Sequence, residues 1–217
     1  MNNVEQARFN MVEQQIRPWD VLNPDVLELL KKIKREQFVP LEQRSLAFMD
    51  MEISIGHAAK MWQPKLEARA LQALALNPED EVLEVGTGSG FLTALIAQLA
   101  AHVTSVEIVP ELSAQAERNL AAQHIENVTL VVGDAANGWG DKQYDAIVLT
   151  GSVPMQPSAL LNSLKVGGRL FAVVGDGPSM HACTFTRTAA GAVESKTLFE
   201  ISVPPLVNAP QPQRFVF

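Results

Sequence analysis

The chain has 217 residues, 47% hydrophobic and 19% charged, a composition typical of a globular protein that buries a sizeable core. Its net charge of -7 argues against a general nucleic-acid site, because neutralising phosphates requires clustered Lys and Arg. Since the chain shows no signal peptide, no apolar run as long as a membrane span and only one cysteine, Cys183, we expect a cytoplasmic protein without an intramolecular disulfide or a membrane partner.

The first part of the chain predicts two helices. Residues 5–16 carry apolar side chains at a helical spacing, at Phe9, Val12 and Ile16. A second helix is expected to begin at Asn23-Pro24-Asp25, because Asn is a good cap and Pro suits the first turn. Its predicted buried positions are Val26, Leu29, Leu30 and Ile33.

The next part of the chain is predicted to be mostly irregular. The basic run 31–35, KKIKR, is interpreted as cations over the carbonyl end of the second helix. Residues 38–64 are rich in aromatic residues and Met and show no regular period. Pro64 ends that stretch and is expected to begin a third helix.

From residue 81 onward, predicted strands alternate with predicted helices. Strands are expected at 81–85, 103–107, 128–132, 144–149 and 169–174, and helices at 91–100, 110–123 and 157–164. Two more extended runs, 182–188 and 193–201, are expected to pair antiparallel at one edge, with Cys183 as a buried packing residue. Prolines 204, 205, 210 and 212 predict an extended C-terminal arm.

Strands that alternate with helices are typical of a parallel sheet covered on both faces. We therefore predict an α/β fold with a doubly wound, mostly parallel, seven-stranded sheet. An N-terminal helical segment, 1–78, is expected to pack on the core, 79–217, and to form one compact unit with it.

Residues 82–91, VLEVGTGSGF, join a predicted strand to a predicted helix through Gly86, Gly88 and Gly90. This G-x-G-x-G spacing differs from the G-x-G-x-x-G of dinucleotide sites, and the absence of G-K-[ST] excludes a P-loop. Glu84 would repel a pyrophosphate at the helix N-terminus, but it suits a ligand with an ammonium group. S-adenosyl-L-methionine carries that ammonium, has no phosphate and contains a ribose, so the segment predicts a site for this cofactor.

Two further acids stand where such a site needs them. Glu107 ends the second predicted strand, about 21 residues after Gly86, where an acid binds ribose hydroxyls. Asp134 follows the third strand and is placed to accept from the adenine amino group. The predicted cofactor residues are Glu84, Gly86, Thr87, Gly88, Ser89, Gly90, Glu107, Ile108, Asp134 and Ala135.

The chain also resembles a known family, first in N-terminal segments that lie outside a general methyltransferase core and then in the core itself. The N-terminal segments are MVEQQIRPWDV (11–21), FVP (38–40), AFMD (47–50) and IGH (55–57), and the similarity continues through GDAANGW (133–139), residues 144–170 and VVG (173–175). In this order, over nearly the whole chain, they resemble protein-L-isoaspartate O-methyltransferases. The resemblance implies a Rossmann-like methyltransferase that repairs proteins. Its reaction methylates the α-carboxylate of isoaspartyl residues, which lets the damaged linkage recyclise and revert.

One loop departs from the pattern of that family. Where the family has Gly-Gln-Thr-Ile-Ser-x-Pro, this chain has AAKMWQP at 58–64, and Trp62 replaces the serine that sits at the reacting carboxylate. The indole either fills a cavity in a repacked loop or forms an aromatic wall beside the sulfonium. Arg17 and Lys60 either attract an anionic substrate or are solvated surface charges. The candidate substrate-loop residues are His57, Lys60, Met61 and Trp62.

Three functions remain open from the sequence. The first is methylation of isoaspartyl residues, the second is methylation of another protein, peptide or small-molecule acceptor, and the third is binding of the cofactor without turnover. A dinucleotide dehydrogenase is a distant fourth. Together, Glu84, Gly86, Gly88, Glu107 and Asp134 argue against a protein that has lost its ligand. Because an anionic carboxylate needs no base, we assign no catalytic residue and expect no metal. Because of Trp62, we expect weak or absent isoaspartyl turnover despite normal cofactor binding.

Overall fold

The structure is a computed structural model that describes residues 3–189 and 191–212. The α-helices are α1 (Asn3–Asn10), α2 (Pro24–Lys32), α3 (Pro64–Leu74), α4 (Phe91–Ala97), α5 (Pro110–Ala122) and α6 (Ser158–Asn162). The strands are β1 (Ile53–Gly56), β2 (Ala59–Met61), β3 (Glu81–Val85), β4 (His102–Glu107), β5 (Val128–Val132), β6 (Tyr144–Val153), β7 (Leu164–Asp176), β8 (Ser179–Arg187) and β9 (Val193–Glu200).

The central sheet has seven strands in the order β5-β4-β3-β6-β7-β8-β9. The first five strands in this order pair in parallel, and β8 and β9 add an antiparallel edge. The predicted doubly wound, mostly parallel sheet is therefore confirmed. The chain moves outward from β3 through β4 to β5, then returns to β6 on the other side of β3, so the strand order reverses between β3 and β6. In sheets of this kind, ligands bind at the carboxyl ends of the strands that flank such a reversal.

The sequence predicted the sheet strands more closely than the helices between them. The observed bounds of β3 and β5 are the predicted ones, whereas α4 and α6 are shorter than predicted. Strand β7 begins at Leu164, the residue at which the predicted third helix of the core was expected to end. Tyr144 pairs with Leu164 in register, so the sheet takes up this residue.

The N-terminal helix is present, but its buried face differs from the predicted one. After α1, residues Met11–Ile16 form a π-helical segment, which shifts the side-chain positions relative to an α-helix. Met11, Val12 and Ile16 are fully buried, whereas Phe9 is 40% exposed and lies beneath the ammonium of Lys31. The prediction that Phe9 belongs to the buried face is therefore wrong.

Helix α2 begins as the sequence predicts. The Asn23 side chain accepts hydrogen bonds from the backbone N–H groups of Asp25 (2.9 Å) and Val26 (3.3 Å). The predicted apolar positions Val26, Leu29, Leu30 and Ile33 are buried. The interpretation of the basic run is wrong for Arg35, which is fully buried two residues beyond the helix cap. Arg35 is buried rather than exposed because its charge has a partner elsewhere in the chain, which the local sequence does not show.

That partner lies in α3. The Arg35 guanidinium forms an ion pair with Glu67, and it also donates to the carbonyls of Ala47 (2.9 Å) and Trp62 (2.6 Å). Burial lowers the pKa of Arg35, and the carboxylate of Glu67 opposes that shift. Arg35 therefore joins α3 to two segments of the stretch that the sequence left irregular.

Part of that irregular stretch is a β-hairpin. Strands β1 and β2 pair antiparallel, with Ile53 opposite Met61 and Ser54 opposite Lys60. The turn residues His57 and Ala58 have φ values of 53° and 58°, the left-handed pair found in tight hairpin turns. The sequence did not indicate this hairpin, because Asn and Gly are the usual residues at such positions.

The two faces of the sheet pack against different partners. Along β3, Val82 belongs to the cluster that contains the buried residues of the N-terminal segment, and Leu83 belongs to the cluster on the opposite face. The first cluster combines Met11 and Leu30 with Phe171 of β7. Because the segments 1–78 and 79–217 share this cluster, we propose that they fold as one compact unit.

The buried ion pair yields a stability prediction. Arg35→Met should lower the free energy of unfolding by roughly 3–5 kcal/mol, because it leaves the buried Glu67 carboxylate without its partner. Arg17→Met is the matched control: Arg17 pairs with Glu13 at 2.8 Å, but its side chain is 49% exposed, so the expected cost is below about 1 kcal/mol. Urea denaturation measures both, and equal losses would contradict the assigned role of Arg35.

Candidate functional site

The predicted site residues surround one cavity of about 400 Å³ at the carboxyl ends of β3, β4, β5 and β6. From the predicted sets it is lined by Glu84, Gly86, Thr87, Gly88, Ser89, Glu107, Ile108, Asp134, Ala135, His57, Lys60, Met61 and Trp62. Gly90 is not among the lining residues. It precedes α4 with a φ of 80°, and a Cβ added there would press on Ala116 of α5, so the structure gives Gly90 a role in helix packing, and its place in the cofactor set stays a prediction.

The glycine loop is pressed closely against β6. Gly86 has a φ of 97°, and a Cβ added there would overlap the hydroxyl oxygen of Thr150. The Thr150 hydroxyl is within hydrogen-bonding distance of the carbonyls of Val85 (3.0 Å) and Gly86 (2.8 Å). Only glycine combines this backbone conformation with so close an approach. The loop is thus a fixed backbone cradle at the edge of the cavity.

Glu107, at the end of β4, supports this cradle. One carboxylate oxygen accepts from the backbone N–H of Gly88 at 2.8 Å, and the other accepts from that of Val109 at 3.0 Å. Glu107 is 5% exposed and lines the cavity. A carboxylate offers about four lone-pair positions, so two bonds leave capacity for ligand hydroxyl groups.

Glu84 lines the cavity and is fully buried. Its Oε2 accepts hydrogen bonds from the hydroxyls of Thr93 and Ser105, the latter at 2.6 Å. Its Oε1 is buried and has no partner within the described chain. Burial raises the pKa of Glu84 to about 7, and the two hydroxyl donors oppose the rise. A buried acceptor without a donor fits a ligand that brings one.

The C-terminal segment closes another side of the cavity. Residues 204–207 line it, and the segment is held by backbone hydrogen bonds from Ser152 N to the Pro204 carbonyl (2.9 Å) and from Leu206 N to the Ser152 carbonyl (2.8 Å). Asn208 donates to Oδ2 of Asp134 at 2.7 Å. The sequence predicted an extended arm here but gave no sign that it reaches the cavity. Residues 213–217, which end the chain after that arm, lie outside the described residues.

The substrate-loop residues divide into an exposed pair and a buried pair. His57 and Lys60 are exposed, and the Lys60 ammonium pairs with Glu52 at 2.9 Å. Met61 and Trp62 are buried. Arg17, the other candidate for attracting an anion, does not line the cavity and pairs with Glu13.

Trp62 packs in the protein core and also lines the cavity. It is 5% exposed, and its ring stands edge-on to Phe171 with ring centroids 6.2 Å apart. Its carbonyl accepts from Arg35, while its indole Nε1 is buried and has no partner in the described chain. Trp62 is thus fixed at its backbone and left with a free donor.

The lining includes other groups that sequence reasoning missed. Thr150 and Gly151 follow the apolar part of β6, and Glu67 reaches the cavity from α3. Across residues 3–189 and 191–212, no group of three or more His, Cys, Asp and Glu side chains is placed to hold a metal ion. No helix in the same ranges is both long and apolar enough to cross a membrane.

Comparison with known proteins identifies the family. The family model for protein-L-isoaspartate(D-aspartate) O-methyltransferase matches residues 6–211. The chain belongs to this family. It is 37% identical over 215 residues to protein-L-isoaspartate O-methyltransferase 1 of Rhodopseudomonas palustris, covering 95% of this chain and 88% of the relative. It is 39% identical over 200 residues to the protein-L-isoaspartate O-methyltransferase of Gloeobacter violaceus, covering 91% and 97%.

A solved structure shares the fold. It is described as a protein-L-isoaspartate O-methyltransferase from Plasmodium falciparum in complex with S-adenosyl-L-homocysteine, and it matches with a TM-score of 0.79 at 19% identity. The match covers 92% of this chain and 97% of that one. The predicted family and fold are therefore confirmed. As a member of the family, the chain is an S-adenosyl-L-methionine-dependent O-methyltransferase, as the sequence predicted.

The first binding prediction concerns Glu107. Glu107→Ala should weaken the binding of S-adenosylhomocysteine by roughly 1.5–3 kcal/mol, because it removes a charged acceptor from the cavity and frees the Gly88 N–H. Glu111→Ala, an exposed acid in the first turn of α5, is the control and should bind normally. Titration calorimetry measures both affinities, and an unchanged affinity in Glu107→Ala would exclude it from the cofactor site.

The second binding prediction concerns pH. Burial raises the pKa of Glu84 to about 7. Because an ammonium group binds the ionised carboxylate better than the neutral acid, affinity for S-adenosylhomocysteine should rise as the pH increases through about 7. It should then level off, because the ligand's ammonium group carries a carboxylate on the same carbon and stays protonated after Glu84 is fully ionised. Calorimetry from pH 6 to 9 measures this profile.

Glu84→Gln is the control for that profile. The variant should lose the rise near pH 7 and bind with nearly constant affinity across the range. Glu67, whose pKa burial raises to about 8, is still present in the variant, so the comparison isolates Glu84. A rise that persists in Glu84→Gln would show that another group carries it.

Proposed function

We propose that this chain transfers the methyl group of S-adenosyl-L-methionine to the carboxylate of L-isoaspartyl residues in proteins. The observation that carries the proposal is the shared cavity: acids from the ends of β3, β4 and β5 line it together with the hairpin loop and the C-terminal segment. Members of the family to which the chain belongs are named for this acceptor.

The donor set suits the proposed cofactor. We assign the ribose hydroxyls to Glu107, the adenine amino group to Asp134 and the ammonium group to Glu84. Support comes from the free lone pairs of Glu107, the unpartnered Oε1 of Glu84 and the glycine cradle that a Cβ would fill. Asp134 already accepts from Asn208, so an adenine amino group would share that carboxylate or displace the amide.

The cofactor would supply an electrophilic methyl group, and an ionised carboxylate acceptor needs no general base. What the chain contributes is then orientation and exclusion of water. Well-oriented reacting groups lower a barrier by about 7 kcal/mol or more. The hairpin rim and residues 204–207 on the other side of the cavity are the elements that would hold the acceptor.

A second candidate is the same transfer to a different acceptor. Trp62 favours it, because a buried indole lines the cavity where the family pattern places a serine hydroxyl. The neighbouring Lys60 does not supply a replacement contact in this structure, since its ammonium is paired with Glu52. Isoaspartyl turnover is therefore expected to be selective but slow.

The test is transfer of a tritiated methyl group to an isoaspartyl peptide and to its normal aspartyl counterpart. The proposed function predicts labelling of the isoaspartyl peptide alone, at a low rate that Trp62→Ser does not fully restore. Labelling of neither peptide, together with labelling of other components of a cell lysate, would favour the second candidate. Labelling of nothing, by protein that binds S-adenosylhomocysteine, would contradict both.

A further inference from the structure

Two buried polar atoms of the cavity wall are left without partners. Among the described residues, the buried side-chain atoms that lack a hydrogen bond include Trp62 Nε1 and Glu84 Oε1, and both residues line the cavity. One atom is a donor and the other an acceptor. Buried polar groups in native proteins normally have hydrogen-bond partners. An unpartnered donor and an unpartnered acceptor in one cavity therefore indicate a ligand that carries both an acceptor and a donor.

The sheet places the two residues on the same face. Glu84 of β3 pairs with Val148 of β6, and Val148 pairs with Phe171 of β7, so the three residues form one row across the sheet. The ring of Trp62 stands against that of Phe171. Two strand spacings of about 4.8 Å separate the backbones of Glu84 and Phe171. The indole therefore lies on Glu84's side of the sheet, and no hydrogen bond joins the two.

Nearby cations are already engaged. Arg35 holds Glu67 and the Trp62 carbonyl, and Lys60 holds Glu52 at the exposed rim. A ligand carboxylate that enters this part of the cavity would therefore meet the indole N–H rather than a free cationic side chain of the hairpin. An ammonium group would meet Glu84.

We propose that the Trp62 indole N–H donates to the carboxylate of the cofactor's amino-acid end, beside Glu84, to which the proposed cofactor site already assigns the ammonium group. These two groups of the ligand are attached to one carbon, so a donor and an acceptor on the same face of the sheet can bind both. The inference rests on the proposed cofactor site. It assigns the indole N–H of Trp62 to the cofactor, and the serine hydroxyl that the family pattern places at the acceptor remains missing.

The test compares ligands with and without the amino-acid end. Trp62→Phe keeps an aromatic ring against Phe171 and removes the N–H. It should bind S-adenosylhomocysteine roughly 10- to 100-fold more weakly than the unmodified chain, the range for a hydrogen bond to a charged group. Its affinity for 5′-methylthioadenosine, which lacks the amino-acid end, should be unchanged. Trp19→Phe, which alters an exposed ring, should change neither affinity.

Each outcome of this calorimetry decides the point. Equal weakening of both ligands would show that Trp62 only shapes the fold, and unchanged affinity for S-adenosylhomocysteine would show that the N–H is not used; either result overturns the inference. Absence of S-adenosylhomocysteine binding by the unmodified chain would instead overturn the proposed function.

A second measurement needs no variant at position 62. The chain contains three Trp residues, so the ¹⁵N–¹H spectrum holds three indole signals, of which Trp19→Phe and Trp139→Phe identify two. S-adenosylhomocysteine should shift the Trp62 signal downfield, and its analogue without the carboxylate should not. A Trp62 signal that responds equally to both ligands would overturn the inference.

Discussion

The fully buried guanidinium of Arg35 connects the segments that surround the cavity. It pairs with Glu67 of α3, donates to the carbonyls of Ala47 and Trp62, and lies over the ring of Phe91, 5.0 Å from its centroid. Phe91 begins the helix that follows the glycine loop. Because a buried charge without its partner is strongly destabilising, none of these segments can shift alone at low cost. The position of Trp62 in the cavity wall thus depends on an ion pair between the buried Arg35 and Glu67, which itself lines the cavity.

The sequence was most informative where local chemistry decides the structure. The core strands were predicted because they are short runs rich in Val, Leu, Ile and Thr, and α2 was predicted because Asn23 and Pro24 are good residues for the start of a helix. The glycine loop and Glu107 could be singled out because strand, turn and helix follow one another directly in the chain, and they line the same cavity. Gly90 shows the limit of this reasoning, since its neighbour is Ala116 of α5 rather than the cavity.

The remaining features depend on contacts between distant residues. Arg35 belongs to a basic run whose composition is typical of an exposed segment. Its burial is stable only because it pairs with Glu67, 32 residues later in the chain. The hairpin turn at His57 and Ala58 uses residues that rarely adopt positive φ. The C-terminal segment is held at the cavity by backbone hydrogen bonds to Ser152. No pattern in the sequence indicates these bonds. The unpartnered indole N–H of Trp62 likewise exists only once the surrounding chain is in place.

We propose that the cavity at the ends of β3 to β6 is a preformed cofactor site and that Glu84 and Trp62, which both line it, bind the amino-acid end of the cofactor. A crystal structure of the chain with S-adenosyl-L-homocysteine tests it most directly. We expect ribose hydroxyls within hydrogen-bonding distance of Glu107, and the ligand's ammonium and carboxylate groups at Glu84 and Trp62. A ligand bound elsewhere, or one whose amino-acid end points away from both residues, would contradict it.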